Sequence, residues 1–157
     1  MSDDKKPYHI SLSGSRLCPD EKLLQAAVVE LVHGRPDVRV WLLRGTLGAG
    51  KTTVVRGVAR ALGVTKTITS PTYTLRQEYS LSRGVFHSLV HVDAYRIKNI
   101  SEVDGIGITD DLQNLESMVW IEWPERIEEL PLLGAAHLHI EIIPGGRRLR
   151  WTLPASV

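Results

Sequence analysis

The sequence is short of several features that would place it in an obvious class. It holds one cysteine, Cys18, so an internal disulfide framework is excluded and a reducing compartment is favoured. No window is long and apolar enough to span a membrane, and residues 1–10 lack the apolar core of a secretory signal peptide. These absences predict a protein of the cytoplasm with no membrane contact.

An excess of charge of one sign is also missing. Lysine and arginine number 19 against 18 aspartates and glutamates, which gives a formal net charge of +1. The chain therefore lacks the basic footprint of a nucleic-acid-binding domain. Its one dense basic cluster, Arg147, Arg148 and Arg150, is interpreted as part of a solvent-facing strand. Contact of this cluster with a phosphate backbone or an acidic partner is the alternative.

What the sequence does contain is a glycine-rich stretch, GTLGAGKTT. Its spacing, Gly45-x-x-x-x-Gly50-Lys51-Thr52, is that of a phosphate-binding loop. Several backbone N–H groups must turn inward around one anion there, and glycines such as Gly48 allow the dihedral angles that a Cβ would forbid. Lys51 would reach the β and γ phosphates, and the Thr52 hydroxyl would be a ligand of Mg²⁺. The sequence therefore predicts nucleotide binding.

The surrounding pattern places this loop between a strand and a helix. The apolar run 38–43 precedes the loop, and residues 51–62 carry apolar side chains at helical spacing before Gly63. A phosphate in the loop would lie at the helix N-terminus, where unpaired amides and the helix dipole favour an anion.

The rest of the chain predicts another helix and two hairpins. Residues 19–34 have the pattern of an amphipathic helix, residues 65–81 and 85–97 of an antiparallel hairpin, and residues 136–153 of a terminal hairpin. Residues 98–117 are predicted to form short helical pieces.

Size and element order together predict the architecture. A chain of 157 residues with 43% hydrophobic content is long enough for one core, so we expect a single domain over residues 1–157, with residues 1–8 disordered. The predicted fold class is α/β: a P-loop NTPase-like three-layer sandwich with a mixed sheet, parallel near the nucleotide and with antiparallel hairpins at the edges.

ATP hydrolysis would also require an acid at a neighbouring strand end. The best match is Glu122, which follows an apolar run, although a solvated carboxylate at the rim would look the same. Asp93, at the exit of another strand, is the other candidate, although a buried aspartate bonded to Arg96 or to a backbone amide would look the same in the sequence. His87, His91 and Asp93 fall at even spacing, but a zinc site is disfavoured because no cysteine or further ligand spacing supports it.

Hydroxyl and aromatic side chains near these motifs leave alternatives open. Ser70, Thr72 and Thr74 could form a switch segment that senses the γ phosphate, or they could belong to an ordinary sheet surface. Trp123 could pack over a nucleotide base, or it could belong to the core or its rim.

Four motifs in this order resemble those of one family. GTLGAGKTT, SPTYTL, HVDAYRI and IEWPERI are similar to the motifs of the TsaE family, the ATPase of bacterial tRNA threonylcarbamoyladenosine biosynthesis. The match covers roughly residues 20–130, and four linked motifs are more specific than one glycine-rich loop. Thr46 stands where members often carry aspartate, and Leu24 falls near a threonine of the family.

The resemblance implies a magnesium-dependent ATPase that binds ATP and ADP. It would act with TsaB and TsaD, resetting their transferase complex for another turnover, and would meet tRNA only indirectly, through that complex. By motif, the resemblance implies that Lys51 and the loop backbone bind the phosphates and that Asp93 is needed for hydrolysis. Thr52 and Glu122 would hold the metal ion. Thr72 and Thr74 would belong to a switch-like segment. The implied nucleotide-binding residues are Gly45, Gly48, Ala49, Gly50, Lys51, Thr52 and Thr53.

Two other functions fit the same loop. A small-molecule kinase would share the nucleotide and magnesium sites, but it would need a lid with converging arginines, and residues 98–117 contain none; Arg83, Arg96 and Arg126 lie outside that stretch. A non-catalytic switch protein would bind ATP and change partners without hydrolysing it.

Overall fold

The computed structural model describes residues 10–156 and contains one seven-stranded sheet with helices on both faces. The predicted disorder of residues 1–8 lies outside the described residues. In chain order the elements are β1 (Ser13–Cys18), α1 (Glu21–Gly34), β2 (Val40–Arg44), α2 (Lys51–Ala61), β3 (Arg76–Ser80), β4 (Ser88–Asp93), α3 (Ser101–Ile106), α4 (Ile108–Gln113), β5 (Ser117–Glu122), a short 3-10 helix (Pro124–Arg126), β6 (Ala136–Ile143) and β7 (Gly146–Thr152).

The sheet is parallel at its centre and antiparallel at its edges. The strand order is β1-β7-β6-β2-β5-β4-β3. Strand β2 is parallel to β5 and β6, and β4 is parallel to β5. The pairs β3–β4, β6–β7 and β1–β7 are antiparallel. The predicted α/β class with a mixed sheet is therefore confirmed.

Two apolar layers enclose this sheet. On one face, α1 and α2 pack over the inner strands, where the stacked rings of Trp41 and Trp120 lie 5.1 Å apart between centroids. On the other face, α3 and α4 cover Val90, Val119 and Ile121. Because the central strands are buried on both faces, they read as continuous apolar runs in the sequence.

Helix α1 shows how local sequence sets the layer beside the loop. The Asp20 side chain accepts a hydrogen bond from the Leu23 N–H at 2.8 Å and so begins the helix. One face of α1 then buries Leu24, Val28 and Leu31 against α2 and the sheet. No helix within residues 10–156 has the length and apolar character needed to cross a bilayer.

The structure departs from the sequence expectations mainly at the edges. Strand β1 was not predicted, because most of its side chains are exposed and only Cys18 is buried. Its order comes instead from backbone pairing with β7. The first predicted hairpin is present, but its leading strand is confined to Arg76–Ser80. Residues 65–75 lead up to it without strand structure.

Candidate functional site

The glycine-rich loop connects β2 to α2, as the sequence predicts. Gly45, Gly48 and Gly50 have φ angles of 153°, 76° and 110°, which side-chain-bearing residues rarely adopt. At Gly45 a Cβ atom would also lie 2.5 Å from the Ile140 carbonyl oxygen of β6. Glycine is thus required at this position by backbone conformation and by close strand packing.

The Lys51 side chain is hydrogen-bonded to the backbone of the loop. Its Nζ donates hydrogen bonds to the carbonyl oxygens of Gly45 at 2.7 Å and Thr46 at 2.9 Å, and the residue is 5% exposed. Burial lowers the pKa of Lys51, while the carboxylates of Glu122, Asp93 and the nearby 3-10 helix act in the opposite direction. The ammonium group is therefore a desolvated cation that donates to oxygen acceptors. The oxygens of a bound phosphate could accept hydrogen bonds from it in the same way.

Behind the loop, two side chains from different elements meet at the carboxylate of Glu122. Thr52 Oγ1 donates to Glu122 Oε1 at 2.7 Å, and His91 Nε2 lies 2.8 Å from the same oxygen. Parallel pairing explains the meeting, since β5 lies between β2 and β4. Glu122 and His91 are both buried, so the carboxylate has little freedom to turn.

The Thr52 hydroxyl and the Glu122 carboxylate fit a magnesium ion by their chemistry. Both are hard oxygen donors, and Mg²⁺ in nucleotide sites typically uses one or two protein ligands together with phosphate oxygens and water. Within residues 10–156 no three histidine, cysteine or acidic side chains gather into a group that could hold a metal alone. His87 is exposed beside Glu116, whereas His91 is buried, so the two histidines do not converge on a zinc site.

Asp93 stands beside Glu122 at the next strand end. The two residues are register partners in β4 and β5. Asp93 Oδ1 accepts the Tyr95 N–H at 3.0 Å, which is the backbone contact that the sequence left open. Its Oδ2 lies 3.3 Å from Ser70 Oγ and 3.5 Å from Thr72 Oγ1. One carboxylate oxygen is thus fixed, and the other has only long contacts.

The phosphate loop and the residues around Asp93 and Glu122 line one cavity of about 360 Å³. Thr72, Asp93 and Glu122 are among its lining residues. Thr74 is exposed and is absent from the lining, and its switch-like role stays a prediction. Of the three arginines weighed for a kinase, only Arg96 lines the cavity.

An aromatic wall closes one side of the cavity. Trp123 has a φ of 57°, unusual for a non-glycine residue, and its ring lies 4.2 Å from Lys51 Nζ. Tyr95 packs on Trp123 with 4.9 Å between ring centroids. The indole therefore lines the cavity and also packs, partly buried, against the apolar layer on the α3 and α4 face of the sheet.

Several neighbours of the site could not be identified from the motifs. Arg147 donates to the carbonyl oxygens of Gly48 and Ala49, although it was grouped with Arg148 and Arg150 as a solvent-facing cluster. The alternation of side chains after the Gly145–Gly146 turn could have separated Arg147 from the other two. For His91, the sequence pattern suggests only a role as a metal ligand, whereas the structure places its ring against the Glu122 carboxylate.

The first helix also approaches the loop. Glu21 in its first turn lines the cavity. Leu24 is 1% exposed and packs beneath Gly50, where a Cβ would lie 3.1 Å from Leu24 Cδ2. At this position the helix supports the loop through an apolar contact.

Comparison with known proteins gives a consistent result. The family model described as threonylcarbamoyl adenosine biosynthesis protein TsaE matches residues 18–150. The tRNA threonylcarbamoyladenosine biosynthesis protein TsaE of Aquifex aeolicus is 35% identical over 131 residues, covering 82% of this chain and 85% of that protein. The protein of the same description from Borreliella burgdorferi is 32% identical, covering 71% of this chain and 80% of its own length.

A solved structure shares the architecture. The crystal structure of Bacillus subtilus YdiB superposes with a TM-score of 0.62 at 27% sequence identity, covering 91% of this chain and 85% of that one.

Proposed function

The chain belongs to the TsaE family of threonylcarbamoyl adenosine biosynthesis proteins, and we propose that it is a magnesium-dependent ATPase in this pathway. It is a P-loop NTPase-type protein of tRNA modification. We propose further that it acts with TsaB and TsaD in the cytoplasm, that it supports turnover of their transferase complex, and that it meets tRNA only through that complex.

One observation carries the proposal. The Thr52 hydroxyl, at the start of α2, is hydrogen-bonded at 2.7 Å to the Glu122 carboxylate at the end of β5. The two predicted metal ligands are therefore already together, directly beside the phosphate loop. A binding loop without a metal role would not require a buried acid at this position.

The residues of the chain divide the work of hydrolysis between them. The loop amides and the Lys51 ammonium would bind the phosphates and balance their charge, with the helix dipole of α2 adding to the attraction. Thr52 and Glu122 would hold Mg²⁺, which supplies electrostatic stabilisation of the charge that develops on the phosphate oxygens.

Asp93 would orient the attacking water through its Oδ2. The water oxygen would form the new bond to the γ phosphorus, the bond from that phosphorus to the bridging oxygen would break to give ADP, and the carboxylate would accept the water proton. Because the Tyr95 N–H holds Oδ1, the reactive oxygen keeps its direction toward the cavity.

The test is magnesium-dependent ATP hydrolysis by the purified chain, alone and with TsaB and TsaD of the same organism. We expect hydrolysis to be stimulated by the partners and lost in Asp93→Asn, with ATP binding retained. Binding of ATP without hydrolysis in either setting would instead favour a nucleotide-dependent switch. Stable phosphorylation of an added small molecule would favour a kinase.

A further inference from the structure

Arg147 reaches the phosphate loop from the far end of the chain. It lies in β7, two strands away from β2 in the sheet. Its Nε donates to the Ala49 carbonyl oxygen at 2.9 Å, and its Nη2 donates to the Gly48 carbonyl oxygen at 3.1 Å. Two successive carbonyl groups of the loop are therefore bound by one planar guanidinium group.

The neighbouring arginines make different contacts. Arg148 Nη1 and Arg150 Nη2 lie 3.4 Å and 3.3 Å from Glu141 Oε2. They point to the opposite face of β7 from Arg147, as expected when side chains alternate along a strand. Among residues 10–156 no carboxylate forms an ion pair with Arg147, so its positive charge is directed at the loop.

The contacts to the carbonyl groups also orient N–H groups. The described residues contain no cis peptide, and in a trans peptide the C=O and N–H point in opposite directions. The Ala49 carbonyl faces Arg147, so the N–H of Gly50 faces the other way. Gly50 is one of the residues that line the cavity. Arg147 thereby holds this peptide unit with its donor directed at the position of a bound phosphate.

The backbone that carries Arg147 is itself anchored. A Cβ on Gly146 would lie 2.4 Å from the Cys18 carbonyl oxygen, so the start of β7 is packed closely against the end of β1. Arg147 Nη1 also donates to the Gly146 carbonyl oxygen at 3.1 Å. The guanidinium group therefore extends from a fixed point and is not a freely moving surface side chain.

We propose that Arg147 is a positioning residue that keeps the phosphate loop in its anion-binding shape, a role that rests on the proposed nucleotide function. Arg147 does not touch the cavity and acts through the backbone of Gly48 and Ala49. Its loss is expected to weaken nucleotide binding while leaving the remainder of the fold in place.

The test compares Arg147→Gln, Arg147→Lys and the control Arg150→Gln with the unaltered chain. Calorimetric titration with ADP should show about a tenfold weaker affinity in Arg147→Gln, the effect of losing charge-assisted hydrogen bonds. Arg147→Lys keeps the charge and should recover part of that loss. Arg150→Gln removes a charge from the same strand and should bind ADP as the unaltered chain does.

A second readout needs no nucleotide. Hydrogen exchange of the amides in residues 45–53 should be faster in Arg147→Gln than in Arg150→Gln, with unchanged exchange in the central strands. Urea unfolding of each variant identifies any general loss of stability, which would make exchange faster throughout the chain and would overturn a local role.

The outcomes separate the two proposals. If the unaltered chain binds ADP and Arg147→Gln binds it equally well with equal loop exchange, the positioning role is wrong and the nucleotide function stands. If the unaltered chain binds neither ADP nor ATP, the nucleotide function fails and the positioning role fails with it.

Discussion

The phosphate loop and the segment of residues 70–75 face each other across the cavity, but they are held in different ways. Residues of the loop are tied by Lys51, by Arg147 and by close packing of Gly45 on β6. In the facing segment, the Leu75 carbonyl oxygen accepts the Asp93 N–H at 3.0 Å. Ser70 and Thr72, however, reach the Asp93 side chain only through long contacts of 3.3 and 3.5 Å, and Tyr73 is 87% exposed.

This difference suggests that the loop determines nucleotide affinity and that the facing segment determines the response to the γ phosphate. Phosphate binding by a loop that is already formed requires little rearrangement, so affinity should depend on the loop side. Ser70 and Thr72, whose contacts to the Asp93 side chain are long, can change position when a γ phosphate arrives, so turnover should depend on the facing side. Variants on the two sides should therefore divide into those that lose affinity and those that lose rate.

The largest effect is expected on the facing side, in Asp93→Asn. Loss of a group that orients water and accepts its proton should lower the hydrolysis rate by about 10²–10⁴-fold. ADP affinity should change little, because Asp93 does not contact the loop. Single-turnover hydrolysis and calorimetry on the same preparation check this. A rate close to that of the unaltered chain would remove Asp93 from the mechanism.

On the loop side, Lys51→Ala should lose affinity for ATP and ADP by about a hundredfold. The reason is that a buried charge-assisted contact contributes roughly 1.5–3 kcal/mol. Fluorescence titration with a labelled nucleotide measures this, with Lys66→Ala as a control for loss of an exposed lysine. Unchanged affinity in Lys51→Ala would contradict the assignment of the phosphate loop.

Glu122→Gln tests the metal site between the two sides. We expect about a tenfold loss of ATP affinity in the presence of Mg²⁺, because an amide oxygen is a weaker ligand than a carboxylate. ADP affinity without metal should stay near its original value. Titration of each nucleotide with and without Mg²⁺ distinguishes the two effects, and equal losses in all four titrations would make Glu122 a structural residue.

The smallest effect on the hydrolysis rate is expected from substitutions within the segment of residues 70–75. Thr72→Val removes a hydroxyl group near Asp93 and should lower the turnover number by roughly threefold, in keeping with one weak hydrogen bond. Thr74→Val should lower it less, since Thr74 is exposed and outside the cavity lining. Steady-state rates at saturating ATP measure both, and a larger loss in Thr74→Val would reverse the ranking that the structure gives.

The parts of the site that could be predicted from the sequence are those that depend on residues close together in the chain. The glycine spacing, the following helix and the apolar strands depend on neighbouring residues, so the loop and the mixed sheet were predictable. The pairing of β5 between β2 and β4 brings Glu122 to His91 and Thr52, and no local pattern specifies that register. Strand β1 was missed for a related reason, because its order depends on the edge of β7.

The position of β2 also sets the order in which the site can be completed. The loop strand belongs to the early part of the chain, yet its two neighbours in the sheet, β5 and β6, are both made much later. A nascent chain that ends before residue 136 lacks the strand that packs on Gly45, as well as the arginine behind Ala49. During synthesis, the capacity to capture a nucleotide should therefore appear as one of the last steps of folding.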